Sequence, residues 1–300
     1  MHNNNDLNNA SKFQGWILAS RPKTLLASVV PVMVGSAVAF NEGKLVPFYS
    51  LIALICSVLL QIGANFTNDL YDYLKGADTE RRKGPQRVLA SGIISVKEMK
   101  KGITGVFAAA FLFGLILVYF EGIIILFIGV VCILAGLAYT AGPYPLAYRG
   151  LGDIFVFMFF GIIGTVGTYF LHTKDLSLIS FIASIPVGSL ITNILVVNNY
   201  RDFDEDKAAG KFTLAVKLGK TFTRYQFVFL LILSFFIPAL LFLFFKFSFL
   251  IFLPYLTLPA AFKIILMLYK LEGTQLNKTL ELTAKLSAVY GLLFSAGIIL

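Results

Sequence analysis

Two short stretches of this chain set acids and amides at helical spacing and surround them with cations. The first, "NDLYDYLKGADTERRKGPQR", runs from Asn68 to Arg87 and holds Asn68, Asp72 and Asp78. The second, "NNYRDFDEDKAAGK", runs from Asn198 to Lys211 and holds Asn198, Asp202 and Asp206. Asp202 and Asp206 are four residues apart, so on a helix they share one face. Two carboxylates on one face repel unless a cation sits between them. Hard divalent cations take oxygen ligands, and Mg²⁺ is commonly held by one or two carboxylates with phosphate oxygens and water. Asn198 lies one turn back and offers a neutral oxygen, and Asn68 with Asp72 repeats the pattern. Arg81, Arg82, Lys83, Arg87, Arg201 and Lys211 flank the acids. Metal on one side and guanidinium forks and ammonium groups on the other suit a diphosphate.

A third stretch, "YTAGPYPLAYRGLGD" from Tyr139 to Asp153, is broken by Gly142, Pro143 and Pro145 and reads as a turn. Tyr139, Tyr144 and Tyr148 are either interfacial aromatic-belt residues or faces for an aromatic ring or carbocation. Arg149 is either a topology anchor or the holder of a substrate carboxylate. Asp78 and these tyrosines complete the candidate set. His2 sits in the polar leader and His172 reads as part of a short outer loop, which leaves no histidine acid–base pair or zinc site. Arg21 and Pro22 read as the positive anchor and first turn of a helix. Cys56 and Cys132 lie in apolar runs and read as small buried hydrophobes.

The elements that must position these groups are membrane helices. Of 300 residues, 58% are hydrophobic and only 14% charged, which excludes an ordinary soluble domain. The net charge of +9 reports topology before it reports a partner, and nucleic acid is not expected. Residues 1–15 read as a disordered tail and 16–300 as one domain. Apolar runs near 24–40, 46–66, 102–120, 122–140, 153–171, 176–197, 226–245, 247–268 and 283–300 predict nine spans. The fold class expected is therefore all-α and polytopic, with nine transmembrane helices bundled around a central cavity open to the cytoplasmic side. Connections alternate between short ones holding only Lys44, Lys174 and Lys246 and long ones holding nearly every other cation. The positive-inside rule makes the long ones cytoplasmic, with the N-terminus inside and the C-terminus outside. Both acidic stretches then fall on that face, four crossings apart, as in a parallel pseudo-repeat. Charges beside a span usually anchor it, but two clusters with Asn-x-x-x-Asp on one face outweigh that reading. A secondary transporter of an anion or divalent cation is the rival of a different class. Its acids should lie near the bilayer midplane, whereas these cluster at span ends.

"NDLYDYLKGAD" and "RDFDEDKAAGK", placed after the second and sixth spans, resemble the two aspartate-rich motifs of the UbiA superfamily of intramembrane prenyltransferases. That family's first motif is Asn-x-x-x-Asp-x-x-x-Asp; here Asn68 and Asp72 match, Gly76 stands in the third position, and the acid falls at Asp78. Asp202 and Asp206 match the second motif without a departure. The three long loops together resemble the branch that prenylates 1,4-dihydroxy-2-naphthoate in bacterial menaquinone synthesis. The resemblance implies two Mg²⁺ ions, a polyprenyl diphosphate donor, the naphthoate as acceptor, loss of diphosphate and CO₂, and a place in the bacterial cytoplasmic membrane. It implies no obligatory protein partner. Another acceptor, such as 4-hydroxybenzoate or a chlorin, is the alternative within the superfamily.

Overall fold

In the computed structural model the described residues are 11–77, 83–84 and 87–300, and they form helices, turns and loops with no strand among them. Local chemistry explains where the helices begin. Ser11 and Gln14 cap α1 (Lys12–Ser20) reciprocally, and Ser95 and Glu98 do the same for α4 (Val96–Glu121). Pro22 and Pro47 open α2 (Pro22–Asn41) and α3 (Pro47–Leu74), where the missing N–H would be unpaired in any case. Gly122, at φ +89°, separates α4 from α5 (Ile123–Ala138).

A helical stretch then runs over Gly152–Thr173, made of α6 (Gly152–Val156), a π-helical segment (Phe157–Ile163) and α7 (Gly164–Thr173). It is followed by α8 (Leu178–Arg201), the short α9 (Phe203–Ala208) and α10 (Leu214–Phe245), which breaks at Gly219. A 3₁₀ run (Phe249–Thr257) leads into α11 (Leu258–Lys270), and α12 (Leu276–Ile299) closes the chain. Eight of these stretches are long and apolar enough to cross a bilayer. The fourth expected span is α5, apolar throughout but only 16 residues long.

The helix carrying the first motif runs on past its apolar span to Leu74, so Asn68 and Asp72 sit on its last two turns, as their spacing implies. Two expectations need correcting. The eighth span is not one α-helix, because Pro254 and Pro259 leave a 3₁₀ entrance before α11. His172 lies in the last turn of α7 rather than in a loop. There it is buried, its Nδ1 accepts from the Val46 amide at 3.1 Å, and its Nε2 lies 3.2 Å from the Ser50 hydroxyl.

The bundle is organised around α2 and α8. α8 packs on α10, α12 and the π segment, while α2 packs on α12, α7 and α3. One apolar core, with Leu190, Phe227, Tyr290 and Phe294, ties α2, α8, α10 and α12. A second, with Phe66, Leu70, Met99 and Phe107, ties α1, α3 and α4. At one point the backbones nearly touch: a methyl group on Gly161 would lie 2.7 Å from the Gly188 Cα. Small residues are what let membrane helices approach so closely.

Candidate active site

The last turns of α3 and α8 and the start of the Gly152–Thr173 stretch lie at one end of the bundle, around a cavity of about 400 Å³. Asn68, Asp72, Asn198, Asp202, Asp206 and Lys211 all line it, with Arg21 and Arg87. The rest of the wall is largely apolar. It reaches Val118, Ile125 and Leu171, which lie at the opposite ends of their helices. The space is therefore polar at one end and hydrocarbon-like along its length.

Asp72 is 5% exposed, and Tyr148 and Lys211 both hold it. Tyr148 donates its hydroxyl to Oδ1 at 2.7 Å, and the Lys211 ammonium lies 3.8 Å from Oδ2. Lys75 sits 4.1 Å over the Tyr148 ring and donates to the Thr140 carbonyl, while the Thr140 hydroxyl donates to Asn68 Oδ1 at 2.8 Å. Partial burial lowers the pKa of Lys75, with Asp72 pulling the other way. On the opposite wall α8 ends at Asp202, yet the Asp206 amide still donates to the Asp202 carbonyl at 2.8 Å. Helical spacing thus survives the break, and both carboxylates line the cavity. Lys211 reaches Asp206 at 3.7 Å, so one ammonium spans acids from both motifs.

This arrangement fits a hard divalent cation. The donors are carboxylate and amide oxygens, and a cationic side chain already lies between the two walls. Among the described residues no three His, Cys, Asp or Glu side chains converge into a complete metal site. The remaining positions on a metal would fall to diphosphate oxygens and water, the usual pattern for Mg²⁺.

The cations divide into groups that face the cavity and groups that brace it. Arg87 lines it, but from a shared ion pair: Arg87 and Arg21 bind Asp69 Oδ1 at 2.8 and 2.6 Å. Arg201 was expected beside the substrate. Instead it is 3% exposed and forks onto Asp202 through Nε and Nη2, both at 2.7 Å, with further bonds to Asn277 and Asn198. Its charge holds a carboxylate in place rather than facing the cavity. Lys83 likewise lies off the cavity, its Nζ on Asp204 and its amide on Glu205. The Lys83 contact holds the Asp204 carboxyl below its ordinary range. Asp78, Arg81 and Arg82 lie outside the described residues.

Of the third stretch, Tyr139 lines the cavity and Tyr148 is buried against Asp72. Tyr144 and Arg149 do neither. Arg149 is exposed, stacks at 4.6 Å on an exposed Tyr144, and is absent from the lining. The turn points them outward because Pro145 and the 3₁₀ turn Leu146–Arg149 direct Ala147 and Tyr148 inward. Arg21, Asp69 and Asp153 are the residues that the sequence did not single out. Arg21 read as an anchor, and nothing local distinguishes that from a guanidinium turned back onto α3. Asp153 had a usable signal, an acid opening an apolar span.

Residues 28–288 match the UbiA prenyltransferase family. A 1,4-dihydroxy-2-naphthoate octaprenyltransferase from Escherichia coli (strain K12) is 35% identical over 303 residues, covering 97% of this chain and 96% of that one. Another protein of that name, from Haemophilus influenzae, is 40% identical over 216 residues, covering 69% and 70%. The fold matches a UbiA homologue from Archaeoglobus fulgidus solved with DMAPP and Mg²⁺, at a TM-score of 0.62 and 15% identity, over 95% and 98% of the two chains. This chain belongs to the UbiA prenyltransferase family.

Proposed function

We propose that this protein transfers a polyprenyl group from polyprenyl diphosphate to 1,4-dihydroxy-2-naphthoate, releasing diphosphate and CO₂. The observation that carries this reading is the single cavity that joins both acidic motifs and Lys211 at one end to an apolar wall along its length. The names of the full-length and partial relatives support the acceptor.

Bound Mg²⁺, two ions in this reading, would neutralise the diphosphate as it leaves. Asn68, Asp72, Asn198, Asp202 and Asp206 would hold it. Lys211 moves from the carboxylates toward the diphosphate oxygens, where its charge is worth most as the C–O bond breaks. Tyr148 keeps Asp72 oriented, and Arg201 keeps Asp202 oriented. Arg87 and Arg21 add positive potential from their shared hold on Asp69. The apolar wall receives the prenyl tail and keeps water from the allylic cation. Attack by the ring carbon that bears the carboxyl group forms the C–C bond, and departure of CO₂ returns its electron pair to the ring. That balance needs no ring-proton base. The charge asymmetry of the loops supports a cytoplasmic polar end, with the N-terminus inside and the C-terminus outside.

The test is a membrane assay with 1,4-dihydroxy-2-naphthoate, a panel of polyprenyl diphosphates, and Mg²⁺ or EDTA. Prenylated product and CO₂ should appear together and vanish with EDTA. Prenylation of 4-hydroxybenzoate with its carboxyl retained, and none of the naphthoate, would overturn the choice of acceptor.

A further inference from the structure

Among the described residues, Asp153 is the one acid of the cavity wall that lies in neither acidic stretch. It opens α6, is 5% exposed, and lies at the edge of a membrane span, where a carboxylate is costly and calls for a partner. Its side-chain contact is weak: Gln226 Nε2 donates to Oδ1 at 3.4 Å. Oδ2 is buried without a hydrogen-bond partner among the described residues, and no described cation forms a salt bridge with Asp153. A buried acceptor in that condition is costly unless something donates to it.

The surroundings say what that donor is. A methyl group on the neighbouring Gly152 would come within 3.1 Å of the Tyr139 hydroxyl, so glycine there lets the phenol close on this corner. Tyr139 lines the same cavity as Asp153, Asp72 and Asp206. One turn along, Phe155 and Phe159 stack at 5.0 Å and 22° on the same wall. A carboxylate acceptor flanked by a phenol and a stacked aromatic pair suits a flat ring carrying a hydroxyl.

We propose that Asp153 binds the aromatic acceptor by accepting a hydrogen bond from a ring hydroxyl, and so sets which ring carbon meets the allylic carbon. This deepens the prenyl-transfer reading and rests on it. In 1,4-dihydroxy-2-naphthoate the 1-hydroxyl is adjacent to the carboxylate and bonds to it internally. The 4-hydroxyl is the free donor and goes to Asp153. The acceptor's own carboxylate is repelled by Asp153 and turns toward the end holding Arg21, Arg87 and Lys211. The competing explanation is that Asp153 merely complements the N-terminus of its helix. That role would affect stability and would not distinguish one acceptor from another.

The experiment compares wild type, Asp153→Ala and Asp153→Asn with the naphthoate and with its 4-methyl ether. For wild type the ether should have a KM roughly 10- to 100-fold higher, the range of one hydrogen bond to a charged group. Asp153→Ala should raise the KM for the naphthoate by a similar factor, leave that for the polyprenyl diphosphate unchanged, and treat naphthoate and ether alike. Electronic effects of the methyl group cancel in this cycle. If Asp153→Ala does not fold, Asp153→Asn carries the test, with discrimination reduced because a neutral amide accepts more weakly. Full discrimination in a folded variant, or equal shifts in both KM values, overturns the proposal while leaving prenyl transfer standing. A wild type that prenylates no hydroxylated ring fails the underlying reading, and this proposal with it.

Discussion

Replacing Lys211 with methionine should destabilise the metal-free protein and make its stability depend on Mg²⁺. The ammonium lies 3.8 Å from Asp72 and 3.7 Å from Asp206, with its side chain 15% exposed. At an effective dielectric near 20, each pair has a gross attraction of about 4 kcal/mol. Desolvation cancels much of that, and breaking a buried pair typically costs about 3–5 kcal/mol. We take about 3 kcal/mol, because the site opens to the cavity, which means a fall of several degrees in Tm. Methionine keeps the length and apolar stem, so the loss is chiefly of charge. A divalent cation can replace that charge, and at a hundredfold excess over its Kd it returns about 2.7 kcal/mol. The assay is thermal unfolding of purified wild type and Lys211→Met in detergent, with EDTA and then with rising Mg²⁺. The variant should melt earlier in EDTA and recover most of the gap in Mg²⁺, while turnover stays at least ~10²-fold down because the diphosphate loses a charge where it develops. An unchanged melting point in EDTA, or a gap that Mg²⁺ does not narrow, would refute the shared-cation reasoning.

Asp72→Ala, Asp202→Ala and Asp206→Ala should each lower prenyl transfer by at least ~10²-fold; near-normal turnover in any folded variant would remove that acid from the site. Tyr148→Phe keeps the ring under Lys75 but deletes the 2.7 Å bond to Asp72. It should raise the Mg²⁺ needed for half-maximal rate by about 10–100-fold, as loss of a ligand's orienting partner does. Arg87→Ala should raise the KM for polyprenyl diphosphate, and Arg149→Ala, at an exposed stack on Tyr144, should leave both KM values within about threefold, as a surface substitution does. A strong, naphthoate-specific defect in Arg149→Ala would return carboxylate recognition to that loop. Cysteines at Tyr144 and Ala209 should label from the cytoplasmic side and one at Thr173 from outside, in a Cys56→Ala, Cys132→Ala background.

The spans and the two acidic motifs were legible because each depends on local pattern: apolar length for a crossing, and a four-residue interval for one face. Asp202 with Asp206, and Asn68 with Asp72, could be paired on that basis, and Lys211 named beside them. What stayed hidden depends on tertiary direction. Arg201 and Arg87 look alike in the sequence, yet one is consumed by its own neighbour Asp202 while the other reaches the cavity wall. Tyr144 and Tyr148 are four apart and face opposite ways, since the stretch between them is a proline turn and not a helix. α3 runs on to Leu74 because charges mark the end of the hydrocarbon, not the end of the hydrogen-bonded helix.

The near contact of Gly161 and Gly188 has a genetic consequence. Neither residue carries a functional group, but a side chain at either one wedges α8 away from the π segment. Asp202 ends α8, and the π segment contributes Phe159 to the cavity wall. Alleles with bulky residues at these glycines would thus behave as if the metal site itself were damaged. Suppressors should arise as size reductions on the opposing helix rather than as changes among the acids.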